Sequence, residues 1–370
     1  MHYLVYIFCI AVLCSCGGKR VKHAETTTKV SQAQPAEMKV VNSLKFLSPT
    51  KDSLYRFGDD LVVEFECKKR FPLDSSVIYI DGKEMKRLGQ AERRAVFPLG
   101  ERKVGTISVK VIAWHPEGKQ GVASTTIRVK PAQAPVKCTY EVVKEYAHDP
   151  KAYTQGLIYQ DGFMYEGTGQ FGESSIRKID MSDGDVLSVL NIDSQLFGEG
   201  ITIWGNKIYQ ITWRSRKGFV YDLATFSLES SFEYNSEGWG ITTVNNELIM
   251  SDGTNKLYHI AIAPSTFNIL GETEVYDNNG PVPQLNELEY VDGLVWANVW
   301  LTDRIVAIDP STGVVKYELD LSGILSPAER AKLDDQDDVL NGIAWNPEKR
   351  TFYVTGKRWP KMFEIKVRMD

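Results

Sequence analysis

Five times in its C-terminal two-thirds the chain repeats a short phrase, a dipeptide that ends in Leu or Ile and in four of the five cases begins with Gly, preceded by a residue capable of chemistry. The phrases are Gln155-Gly156-Leu157, Glu199-Gly200-Ile201, Trp239-Gly240-Ile241, Asn286-Glu287-Leu288 and Asn341-Gly342-Ile343. Steps of 44, 40, 47 and 55 residues separate their middle positions, a period that suits the blades of a β-propeller better than the helices of a solenoid. In a propeller the innermost strand of every blade faces the central channel, so the five first residues converge on one axis. A second set of positions repeats with them. Gly169, Trp213, Gly253 and Trp300 each lie 13 residues after a phrase's middle residue, and Lys357 lies 15 after because the turn 346–350 is longer. A strand that pairs with a channel strand ends at the same mouth, so these side chains are expected to join the first set.

With 370 residues, 43% hydrophobic and 25% charged, the chain is globular and long enough for two domains. A net charge of −5 carries no electrostatic footprint for nucleic acid, and that class of partner is excluded. Residues 3–15 form an apolar run too short for a membrane span, so residues 1–15 are expected to be a signal peptide. Leu13-Cys14-Ser15-Cys16 resembles the bacterial lipobox, although the segment before it carries only His2 and no lysine or arginine. The resemblance implies lipidation at Cys16, with a plain cleaved signal peptide as the alternative. Residues 16–43 would then be a polar tether to a bacterial envelope membrane, most simply the outer one, given Gly17 after the cysteine. Cys67 and Cys138 remain after export, as a pair or as two free thiols, and no cysteine spacing suits a metal.

From 44 to 130 the chain alternates with period two. Leu61, Val63, Phe65 and Cys67 share a face, as do Ile107, Val109, Val111 and Ala113, and Asp81-Gly82 closes a hairpin. These strands predict a small immunoglobulin-like β-sandwich with no catalytic pattern, a spacer or docking module. Residues 131–138, opening on Pro131-Ala132-Gln133-Ala134-Pro135, read as a linker. The rest, 139–370, divides into five blades, an all-β chain overall. The last phrase leaves room for only three strands, at 342–346, 351–356 and 361–367, so the fourth is expected at 140–146, closing the ring. Ser326 through Leu333 predicts one helical insertion, with Ser at the cap and Pro in the first turn.

The convergent set is Gln155, Glu199, Trp239, Asn286, Asn341, Trp213, Trp300 and Lys357. The propeller half holds only His148 and His259, so a three-histidine zinc site is not expected, no cofactor is called for, and no Ser-His pair or reactive cysteine stands out. Acid–base and electrostatic catalysis in an aromatic pocket remains. Aromatic walls should raise the pKa of Glu199 and Lys357, if near, should lower it. Trp204, Trp296 and Trp345 are read as core packing.

The residues themselves resemble a family. Tyr153-Thr154-Gln155-Gly156-Leu157, Phe197-Gly198-Glu199-Gly200-Ile201-Thr202, Gly238-Trp239-Gly240, Leu285-Asn286-Glu287-Leu288, Trp296-Ala297-Asn298-Val299-Trp300, Leu340-Asn341-Gly342-Ile343 and Gly356-Lys357-Arg358-Trp359-Pro360-Lys361 are similar to plant-type glutaminyl cyclases, over about 139–368. The resemblance implies a five-bladed propeller that converts N-terminal glutaminyl residues to pyroglutamyl residues with release of ammonia, without a metal. It implies Glu199 as general acid/base, Lys357 and Asn286 as catalytic groups, and Gln155 as a polar group of the pocket. Trp213, Trp239, Trp300 and Phe197 match the aromatic walls, with Tyr153 where the family often has Phe. Any of Lys357, Asn286 or Gln155 could stabilise the oxyanion. The implied partners are peptides or proteins with N-terminal glutamine, and the chain is expected to be a monomer. A peptide-binding propeller without turnover is the rival reading, and a lactonase-like propeller would want metal-ligating carboxylates about the axis where indoles and a lysine stand.

Overall fold

Turn chemistry and alternation carry through into strands. A computed structural model describes residues 39–262 and 268–369; the signal peptide, Cys16 and the tether up to residue 38 lie outside those residues. The described chain is all-β apart from short helical turns. No helix among the described residues is long and apolar enough to cross a membrane.

The first half holds a six-stranded and a three-stranded sheet. Leu61, Val63 and Phe65 on Asp60–Cys67 meet Ile107, Val109, Val111 and Ala113 on Gly105–His115 in one buried core, with Cys67 packed at its margin. Asp81 and Gly82 both take positive φ between the paired strands Ser75–Ile80 and Lys83–Leu88, the backbone a two-residue hairpin of primed type requires. Two boundaries differ from expectation. Lys39–Val41, read as tether, pairs in parallel with Lys119–Gly121. Val136–Cys138, read as linker, is already strand, pairing in parallel with Tyr317–Leu319. The hydrogen bonds available to these segments from neighbouring strand edges override their linker-like composition. Both Cys67 and Cys138 are free thiols.

The second half folds as consecutive four-stranded antiparallel meanders, beginning with Thr154–Gln160, Gly198–Trp204, Ile241–Val244, Leu285–Val291 and Leu340–Asn346. The first strand of each touches that of the next, and the fifth touches the first. Thr351–Gly356 and Lys361–Arg368 follow in the fifth meander, and its outer strand is Val136–Ala147, whose residues 139–147 pair antiparallel with 361–368. The N-terminal end of this half thus seals its C-terminal end. Ser326 caps the helix Pro327–Arg330 in a capping box with Glu329. That helix is shorter than predicted, because the N–H groups of Lys332 and Leu333 turn back to carbonyls three residues earlier. Trp296 is buried and Trp345 packs beside it. Trp204, by contrast, is 38% exposed. It ends its strand opposite Lys207 at a hairpin turn, where no neighbouring layer covers it.

The halves meet along the outer edge of the third and fourth meanders. Val104 packs with Tyr276 and Val314, its N–H donates to Thr312 O at 2.8 Å, and Lys130 Nζ donates to Asn278 O at 2.6 Å.

Candidate active site

Four of the five phrases are local irregularities in their hairpins. Pairing between the first two strands slips between Thr154 and Gly156, Gly198 and Ile201, Leu285 and Leu288, and Leu340 and Ile343. A bulge re-aims the side chain beside it, so Gln155, Glu199, Asn286 and Asn341 leave the ordinary alternation of a strand. The glycine that follows has a steric reason. A Cβ on Gly240 would stand 2.0 Å from Asn286 O, and one on Gly156 would stand 2.5 Å from Ile201 N. Neighbouring meanders approach too closely there for any side chain. The fourth phrase has Glu287 instead, whose carboxyl oxygens accept the backbone N–H of Leu157 at 3.2 Å and of Ile343 at 2.8 Å. One side chain therefore joins three meanders at the centre of the ring.

The return strands align the second set by a shared backbone bond. The N–H groups of Gly169, Trp213, Trp300 and Lys357 donate to the carbonyls of Tyr153, Phe197, Gln284 and Val339, at 2.8, 3.1, 2.9 and 2.9 Å. Each acceptor lies two residues before its phrase. Gly253 departs, offering its carbonyl to Gln284 N at 2.9 Å. The two glycines of this set lie beneath rings. A Cβ on Gly169 would be 2.5 Å from the Phe197 ring, and one on Gly253 would be 2.5 Å from that of Trp239.

Gln155, Asn286, Asn341, Glu199 and Lys357 are all buried, the last two at 4% exposure each. Trp213, Trp239 and Trp300 are half-buried above them. Phe197 meets Trp213 edge-on at 5.5 Å and Tyr153 at 6.0 Å, while Trp239 meets Trp300 edge-on at 5.3 Å. The Lys357 ammonium stands 4.7 Å from the Tyr153 ring centroid and 5.9 Å from that of Trp300. The Tyr153 hydroxyl donates to Asp337, which also receives Arg358 Nη1 at 2.9 Å. The extra oxygen relative to Phe is therefore already engaged by Asp337.

Burial pushes the Glu199 carboxyl well above the ordinary carboxylate range, with Lys357 pulling it back and Glu237 adding to the rise. Burial likewise lowers the Lys357 ammonium, opposed by Glu199 and Asp337. Desolvation thus drives both partners toward their neutral forms, and their attraction resists it. The interactions of the Glu199 carboxyl with its described neighbours are those of charge, with Lys357 and Glu237. Asn341 Nδ2 donates to Gln155 Oε1 and to Thr154 O, both at 3.0 Å. Asn286 Oδ1 and Trp300 Nε1 are buried with no hydrogen-bond partner among the described residues. Leaving such groups unpaired costs about 1–3 kcal/mol each, so a ligand that completes them is favoured. Among the described residues no group of three or more His, Cys, Asp or Glu side chains is placed to hold a metal ion.

Ring contacts join Tyr153, Phe197 and Trp213, and Trp239 with Trp300; Lys357 lies near Tyr153 and Trp300, Glu199 is coupled to Lys357 by charge and Gln155 is bound by Asn341, while the Asn286 side-chain oxygen has no partner among the described residues. Three others were not foreseen. Glu287 stands where the other phrases have glycine. Asp337 sits in the insertion before the last phrase. Glu237 lies two residues before its phrase, the position held by Tyr153 and Phe197 in the first two meanders, so carrying that position round all five repeats would have found it.

A sequence model of the glutamine cyclotransferase family matches residues 118–367. The glutaminyl-peptide cyclotransferase of Arabidopsis thaliana is 41% identical over 234 residues, spanning 62% of this chain and 71% of its own. The crystal structure of Myxococcus xanthus glutaminyl cyclase superposes with a TM-score of 0.59 at 30% identity, over 64% of this chain and 99% of that one.

Proposed function

This chain belongs to the glutamine cyclotransferase family, and we infer that it is a glutaminyl-peptide cyclotransferase that closes N-terminal glutaminyl residues to pyroglutamyl residues. The meanders are read as a five-bladed β-propeller and the first half as an immunoglobulin-like sandwich. In that arrangement the pocket lies at one mouth of the central channel.

The nucleophile and the electrophile belong to one residue. The α-amine nitrogen attacks the side-chain amide carbon, a carbon–nitrogen bond forms, and the bond to the amide nitrogen breaks as ammonia leaves. Ring closure is already intramolecular, so the protein's first task is to hold the curled rotamer. Three half-buried indoles with Phe197 and Tyr153 make a slot suited to the apolar methylenes of such a side chain. The second task is proton traffic. A free α-amine has a pKa near 8 and is mostly protonated at neutral pH, while departing nitrogen must gain a proton. Glu199 serves both needs, taking a proton from the attacking amine and giving it to the leaving nitrogen. A carboxyl raised well above the ordinary carboxylate range by burial suits such an exchange in both directions.

The tetrahedral oxyanion calls for donors. Lys357 supplies the nearest positive charge to Glu199, and Trp300 Nε1 is a buried N–H in want of an acceptor. Asn286 Oδ1 is the complementary acceptor for the amide NH2. Gln155 is turned by Asn341 so that its oxygen is occupied and its Nε2 is left as a donor. On this reading no metal enters the reaction. Lipidation at Cys16 would place the enzyme on the bacterial envelope.

The observation that supports the mechanism is the buried carboxyl of Glu199, coupled by charge to Lys357, whose ammonium lies 5.9 Å from the Trp300 ring. Supplying a glutaminyl peptide and following ammonia tests it. Turnover that persists with chelator is expected, and no ammonia at any pH between about 6 and 9 would overturn the reading.

A further inference from the structure

Trp213 and Trp239 come from neighbouring meanders and share one acceptor. Glu237 Oε2 receives Trp213 Nε1 at 2.7 Å and Trp239 Nε1 at 3.1 Å, and Oε1 receives Arg214 Nε at 3.1 Å. The Arg214 guanidinium in turn lies 3.9 Å above the Trp213 ring, covering its outer face. The clamp reaches across the pocket, since Trp213 packs on Phe197 and Trp239 on Trp300. Resting on the cyclotransferase reading, we propose that Glu237 is a positioning residue of the reaction, fixing two walls of the glutamine slot through one oxygen.

Indole rings alone leave such a slot loosely defined, because edge-to-face packing tolerates rotation of the ring about its own axes. A shared carboxylate oxygen removes that freedom. Two N–H donors that converge on one point fix the relative tilt of their rings, and charge-assisted bonds of this kind are about twice as strong as neutral ones. Gly238 N adds a backbone tie to Trp213 O at 3.2 Å, so the segment that bears the clamp is anchored to the wall it holds. Burial would raise the Glu237 carboxyl, but the bonds from Trp239, Trp213 and Arg214 outweigh it and hold the group below the ordinary range. It stays ionised wherever the enzyme works. That charge adds to burial in raising Glu199, while Lys357 opposes it. The proton carrier thus feels the charges of Glu237 and Lys357 in opposite senses. Glu237 itself touches neither the proton nor the amide; it acts through the two indoles and through its field.

Two substitutions separate these roles. Glu237→Gln keeps an acceptor oxygen for the indoles and removes the charge; Glu237→Ala removes both. For Glu237→Gln the acid limb of kcat/KM against pH is expected to move down by roughly half a pH unit, with KM little changed. For Glu237→Ala the same limb moves and KM rises by about tenfold while kcat falls less, as expected when the slot loses definition. Indole emission should shift in Ala and hold in Gln. If Glu237→Ala fails to fold, Glu237→Gln alone still reports the charge. An unmoved acid limb in both variants would overturn the electrostatic role, and a wild-type KM and emission in Glu237→Ala would overturn the clamp. If the parent protein releases no ammonia, the cyclotransferase reading fails, and the emission comparison then judges the clamp by itself.

Discussion

Asn341 Nδ2 stands 3.0 Å from Gln155 Oε1, across the seam where the fifth meander meets the first. The same nitrogen reaches Thr154 O at 3.0 Å, so one amide both closes the ring and orients a polar group of the pocket. Asn341→Ala should lower stability by about 1–3 kcal/mol, since two acceptors lose a donor in a dry place. It should also lower kcat for ammonia release, because Gln155 is freed to turn. Calorimetry and turnover check the two effects, and a kcat equal to that of the parent would remove Gln155 from the reaction.

Lys357 and Glu199 are coupled by charge. Replacing Lys357 by Met removes the attraction that draws the Glu199 carboxyl down, so the acid limb of kcat/KM should move up by about one pH unit. Lys357→Arg keeps the charge and should move it less. Profiles measured from low pH upward decide the matter, and identical limbs for parent and Met would exclude this coupling.

His148 and Glu166 form a buried pair at 2.9 Å, with His148 Nδ1 also 2.6 Å from Trp359 O and Thr154 Oγ1 2.7 Å from Glu166 Oε1. It fastens Thr154, next to Gln155, to the segment after Lys357. Burial lowers the His148 pKa, but Glu166 outweighs it and the net direction is up; burial raises Glu166, but His148 outweighs it and the net direction is down. The pair contributes most between about pH 4.5 and 6.5. Its contribution is lost as pH rises through the raised value of His148 or falls through the lowered value of Glu166. Glu166→Gln should cost about 3–5 kcal/mol inside that window and less outside it. A thermal midpoint difference that is flat across pH would contradict this.

Glu289 titrates in the opposite sense. Burial carries its carboxyl up to about 8, against bonds from Trp345 N and Tyr290 N. The folded chain keeps this proton where the unfolded chain has lost it, so the stabilisation is full below about pH 4.5 and declines as pH rises toward the folded value. Glu289→Gln retains an acceptor for Trp345 and removes the titration. Its midpoint should fall less than that of the parent between about pH 5 and 8; equal slopes would refute the assignment.

Much of this was legible in the chain because repetition turns distance in sequence into proximity in space. That Glu199 and Lys357, coupled by charge in the fold, belong together is legible in their spacing, since each occupies a position that recurs through the repeats. Two things escaped. Asp337 belongs to an insertion with no counterpart in other repeats, so no register points to it. The contact of Val104 with Tyr276 and Val314 joins surfaces whose apolar residues are too few and too scattered to announce an interface. Trp204 misled for a related reason, because hydrophobicity alone does not say whether a strand end has a neighbour above it.

The account turns on the proton carried by Glu199. Glu199→Gln keeps the shape and hydrogen-bonding capacity of the side chain while abolishing its titration, so the folded state should survive. Ammonia release from a glutaminyl peptide at the pH optimum of the parent should fall by at least about a hundredfold, with the thermal midpoint nearly unchanged. A Gln variant that is as active as the parent would contradict the account at its centre.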